Sequence, residues 1–157
     1  MNDIIEQITT IVPNANQINR LQEEMLKMPQ VKDMVTDHFF ADGMYSRRVF
    51  RKAGTLIVGK VHLKDHFFIC TKGEIIAWTE NGMKKLSAGD IIECKRGTKR
   101  VTLATMDSIG TTIHKTDKTN LDEIEAELIE PDKTALFDSS NKLKSIVIEC
   151  QKMALEG

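Results

Sequence analysis

A chain of 157 residues accommodates one domain with a proper core and short appendages, and leaves no room for a second full domain. Its 22 basic and 23 acidic side chains nearly cancel, which removes any global electrostatic case for duplex nucleic acid or a membrane surface as partner. Cys70, Cys94 and Cys150 form no CxxC or Cys/His cluster, the N-terminal stretch has acidic rather than basic flanks, and no apolar run approaches the ~18 residues of a membrane span. Reduced core thiols in a cytoplasmic protein are the expectation.

In chain order, Ile4, Ile5, Ile8 and Ile11 recur at helical spacing until Pro13. Asn14 and Asn16 offer N-caps to a second helix with Ile18, Leu21, Met25 and Met28 on one face, closed by Pro29. Residues 30–43 lack a clean period and run into an Ala-Asp-Gly turn. From Met44 to about His114 the sequence breaks into about eight short β-rich runs, YSRRVF, TLIVGKVHL, HFFIC, EIIAW, KKL, DIIEC, RVTLA and SIGTTIH, punctuated by turn residues. That pattern predicts a single antiparallel barrel or sandwich. Asn81-Gly82 reads as a type I′ hairpin turn, with both as its central residues. Beyond it, Asn120 with Glu123 three residues later predicts a capped helix ending before Pro131, and Ser139 or Ser140 can cap a last one carrying Leu143, Ile146, Val147, Cys150, Met153 and Ala154. The division expected is 1–43 for helices and lead-in, 44–116 for the barrel and 117–157 for a helical extension. Terminal helices with apolar stripes imply a homo-oligomer.

Two spacings organise the barrel region. Gly54, Lys60, His62, His66 and Gly73 fall on the fixed positions of G(X)5HXH(X)3E(X)6G, and Gly89, Lys95, Gly97, Arg100 and Ala104 on those of G(X)5PXG(X)2H(X)3N. In these frames the sequence resembles the cupins, which implies a mainly β, cupin-type antiparallel jelly-roll barrel flanked by helices. Where a metal-binding cupin would show His, His, Glu and His, this sequence has Lys60, His62, His66 and Arg100. Lys and Arg offer no lone pair to a metal and attract anions. The expectation is therefore no catalytic residue and no cofactor, but a pocket for an anionic small molecule built from Lys60, His62, His66, Arg100, Lys95 and Arg96. Arg supplies bidentate bonds and Lys a compact charge.

The stretches HFFADGMYSRRVFRKAGTLIVGKVH, KGEIIAWTENGMKKLSAGD and GTKRVTLA are similar to a group of small single-domain cupin-like proteins of tailed phages. That resemblance implies a non-enzymatic sponge for a nucleotide immune signal, cyclic or linear, acting in counter-defence in the host cytoplasm. Two alternatives stand beside it. One is a metal-dependent cupin enzyme of oxygenase or isomerase type, with His62, His66 and His114 holding a divalent transition metal; the other is a phage structural or assembly scaffold. For His38 and His114 taken singly, a surface or core role is the expectation. Lys99, alternating with Arg100, is expected to face outward. Tyr45 and Trp78 could each stack on a base, and alternation leaves open which points inward.

Overall fold

The computed structural model describes residues 15–31, 34–79, 81–131 and 138–141. The helices read over residues 4–11 and from Ser139 onward, with Cys150, lie outside the described residues or run beyond them. Among the described residues, nine strands form two antiparallel sheets between two helices. The strands are β1 (Thr36–Ala41), β2 (Met44–Arg51), β3 (Leu56–Val58), β4 (His66–Lys72), β5 (Glu74–Thr79), β6 (Gly82–Ser87), β7 (Ile91–Cys94), β8 (Val101–Ala104) and β9 (Ser108–Lys115). The helices are α1 (Ala15–Met25) and α2 (Leu121–Leu128). One sheet has the order β1-β2-β9-β4-β7 and the other β3-β8-β5-β6.

Strand structure begins at Thr36, in a region where the sequence shows no clean period. β1 is an edge strand, half-buried along its first three residues and exposed along its last three, so no hydrophobic alternation marks it. It turns into β2 through Asp42 and Gly43, whose φ values of 40° and 77° are those of a primed hairpin turn, and Ala41 pairs with Met44. The expected Asn81-Gly82 turn is shifted by one residue: Thr79 pairs with Gly82, which opens β6. The Thr79 hydroxyl makes the difference, donating to the Gly82 carbonyl at 2.8 Å and accepting from the Asn81 N–H at 3.2 Å. The run TLIVGKVHL is a strand only as far as Val58, followed by an isolated bridge at His62.

Between the sheets lies a core of Phe68, Cys70, Ile75, Ala77, Leu86, Ile92 and Cys94, and both thiols are free. The outer face of the four-stranded sheet, with Trp78, Val101 and Leu103, is covered by Ile18 and Leu21 of α1. The apolar stripe read from the sequence thus packs on the barrel. Lys99 fastens the same helix, donating to Asn19 Oδ1 at 3.1 Å and Gln22 Oε1 at 2.7 Å. At the other end the Asn120 side chain accepts from the N–H groups of Asp122 and Glu123, capping α2 as its sequence predicts. Ile124 and Leu128 of that helix bury against Tyr45. No described helix is long and apolar enough to cross a membrane.

Candidate functional site

Antiparallel pairing places alternate residues of the five-stranded sheet on its inner face. Tyr45 lies opposite His114, Arg47 opposite Thr112, and His66 opposite Cys94. His62 arrives from the segment after β3, held where Ile129 bridges to it, the Leu63 N–H bonds the Leu128 carbonyl and the Glu130 N–H bonds the Val61 carbonyl. Three imidazoles from β4, β9 and this segment therefore meet. One ring nitrogen from each of His62, His66 and His114 lies within 4.8 Å of the other two. Ring centroids are 4.1 Å apart for His62 and His66, 4.6 Å for His66 and His114, and 5.3 Å for His62 and His114.

Main-chain oxygens select the tautomers. The Nδ1–H of His62 donates to the Lys60 carbonyl at 3.1 Å and that of His66 to the Lys64 carbonyl at 3.3 Å. A carbonyl can only accept, so in both rings Nε2 keeps its lone pair. The Thr112 hydroxyl meets Nε2 of His114 at 2.8 Å. Burial, then the neighbouring imidazoles, then Arg47 push His62 down to about 2. Burial, then His66 and Arg47 bring His114 to about 3. His66 is lowered as well, first by burial, with Arg100 and Arg47 adding to it. All three are neutral at pH 7.

Beside the trio opens a cavity of about 340 Å³, whose wall includes Tyr45, Arg47, Lys60, His62 and His114. The cations selected from the sequence are distributed otherwise than the spacing implies. Lys60 is ion-paired with Glu125 of α2. Lys95 pairs with Glu93 at 2.5 Å and Asp65 at 3.9 Å, and Arg96 donates its main-chain N–H to Asp65 Oδ1 at 2.8 Å. Arg100 lies close enough to His66 to lower it. Arg47, which sequence reasoning passed over, is the guanidinium on the cavity wall; its Nε is buried without a hydrogen-bond partner. The signal was present in YSRRVFR, where Tyr45, Arg47, Val49 and Arg51 alternate onto one face.

His114 belongs to the trio, the grouping of the metal alternative, rather than standing singly in a surface or core role; pairing of β9 with β2 and β4 brings it there. His38 stays outside and accepts or donates at 2.6 Å to the Tyr45 hydroxyl. Of the two candidate stacking residues, Tyr45 lines the cavity, whereas Trp78 is buried beneath α1.

No protein-family profile matches the sequence, nor does any curated protein. Among solved structures the chain is similar to KdgF from Halomonas sp., at a TM-score of 0.51 and 14% identity, over 62% of this chain and 90% of that one. It is similar to an RmlC-like cupin from Shewanella frigidimarina, with a TM-score of 0.49 and 13% identity over 57% and 82% of the two chains. A cupin superfamily protein from Desulfitobacterium hafniense gives 0.48 and 9% over 59% and 88%. At such identities the likeness speaks for architecture alone. The protein is mainly β, and its two antiparallel sheets form a jelly roll of the cupin type.

Proposed function

We propose that this cupin-fold protein binds a small molecule beside a three-histidine centre fitted to hold a divalent transition metal. The convergence of His62, His66 and His114 supports this reading. Neutral imidazoles with carbonyl-fixed tautomers are the donors that zinc, copper, nickel and iron prefer, and a three-histidine set leaves a coordination position for a ligand. A bound ion would supply Lewis-acid polarisation to a group placed there. The chain's own residues do the rest: Lys60 and Lys64 orient two rings through their carbonyls, and Arg47 makes the neighbourhood favourable to negative charge. The test is metal analysis of the intact protein, with zinc, nickel and cobalt offered in turn. One equivalent should be retained, and His62→Ala and His114→Ala should each lose it while keeping their circular dichroism. Failure of every ion to bind at neutral pH would sink the centre.

Arg47 favours a second, metal-free reading, in which an anionic ligand is sequestered without turnover. The resemblance to phage proteins names a nucleotide immune signal as that ligand, and a counter-defence role in the host cytoplasm. Native mass spectrometry with cyclic and linear nucleotides then reads stoichiometric uptake and recovery of the unchanged compound.

A further inference from the structure

The cavity wall combines two chemistries. Arg47, His62, His114 and Tyr45 form one contiguous polar group on it, since Tyr45 and His62 both stack on His114 and Arg47 acts on all three histidines. Much of the remaining wall is apolar, with Met25, Met28, Met34, Leu56, Ile124 and Leu128 contributing. Thioethers adapt to irregular aliphatic shapes. The volume of about 340 Å³ lies at the small end of ligand sites, about 300–1,000 Å³.

Charge counting narrows the head group. Two cationic and two anionic side chains line the cavity: Lys60 is ion-paired with Glu125, and Asp138 accepts from the Ser140 N–H and hydroxyl. Arg47 has no carboxylate partner among the described residues, and its buried Nε makes no hydrogen bond. A donor left in that state is costly unless something accepts from it. The Arg47 guanidinium, ion-paired with neither wall carboxylate, offers a site for one negative charge, and its planar fork fits a carboxylate through two parallel bonds. A phosphate dianion would be left with excess charge in a largely apolar chamber.

We infer that the pocket takes a small amphipathic carboxylate, its head on Arg47 beside the histidines and its aliphatic body against the methionine, leucine and isoleucine wall. This deepens the small-molecule reading above and rests on it.

The experiment is calorimetry on the intact protein with butanoate, hexanoate and octanoate, against hexanamide and hexanol, and with adenosine monophosphate as the phosphate arm. Hexanoate should bind at least about tenfold more tightly than hexanamide, the loss expected when a charge-assisted hydrogen bond becomes neutral. Arg47→Gln should erase that difference while leaving hexanol affinity within about twofold. Equal affinity for acid and amide, or preference for the nucleotide, overturns the inference, and this comparison needs no variant should Arg47→Gln fail to fold. Zinc titration of the same sample separates the layers. Zinc uptake without carboxylate preference overturns this inference alone; absence of zinc uptake and of binding by any of these compounds overturns the underlying reading too.

Discussion

The rings of His62 and His66 lie 4.1 Å apart between centroids, with their planes tilted by 34°. Two imidazolium ions cannot share that space, and burial already opposes the first proton. His62 titrates near 2 and His114 near 3, against about 6.5 in an unfolded chain. Because the folded values are depressed, the unfolded state binds more protons between about pH 3 and 6.5, and folding stability must fall on acidification through that window. Each of these two groups should remove about 1 kcal/mol by pH 5.5 in the metal-free protein. Urea titrations at pH 7.5 and about pH 5.5 read the slope directly. It should flatten in the double variant His62→Gln with His114→Gln; an unchanged slope would place the acid sensitivity elsewhere.

The Lys60–Glu125 pair is only one-fifth to one-third exposed and ties the segment carrying His62 to α2. Its coupling in a double-mutant cycle should be about 1 kcal/mol, at the upper end for pairs that water still reaches. Removing the carboxylate alone has a second effect, because Lys60 then adds its charge to the cavity. Glu125→Gln should tighten anion binding, and Glu125→Gln combined with Lys60→Met, which removes both charges from the wall, should leave it nearly unchanged. Weaker binding in the double variant would return Lys60 to the role its place in the sequence suggests.

Gly73 joins β4 to β5 at φ +77°, and a Cβ built there would stand 2.4 Å from both the Asp107 carbonyl oxygen and Ser108 Oγ. That hydroxyl accepts from the Glu74 N–H and has its one proton between the Glu74 and Met106 carbonyls, so it has little freedom to retreat. Gly73→Ala should cost about 2–4 kcal/mol, combining the left-handed backbone with the clash. Chemical denaturation provides the check, with Gly89→Ala for comparison: its φ is +98° but nothing lies within 4 Å of its Cβ. Equal losses would mean that the clash contributes nothing.

Asn120→Ala should destabilise α2 by about 1 kcal/mol through loss of the cap. Since Ile124, Glu125 and Leu128 belong to the cavity wall, ligand affinity should weaken with it, and Asn120→Asp should restore both. Stability lost without affinity lost would show that the wall does not depend on the helix start.

Strand spacing and turn residues made most of the barrel legible, and the Asn120 cap was legible in full. β1 was not, because an edge strand with exposed Phe39 and Phe40 satisfies no burial pattern. Of the site, His62 and His66 could be read from one segment. His114 entered only as the third ligand of the metal alternative, without a spacing to fix it there, since it reaches the other two through pairing of β9 with β2 and β4. Lys60 does line the cavity, but its ion pair with Glu125 was not legible, because the chain leaves strand geometry after Val58 and that partner is distant in sequence. Arg47 followed alternation but lay outside the spaced signature.

The oxygens that fix the His62 and His66 rings belong to the main chain of Lys60 and Lys64. Substituting either lysine side chain leaves those acceptors in place. The direction of both lone pairs is thus written into the path of the backbone between Val58 and His66, and the surface charge of this segment can be altered with its donor geometry intact. Only a change in the course of the chain, such as an insertion or deletion between Gly59 and Asp65, would re-aim the two rings together.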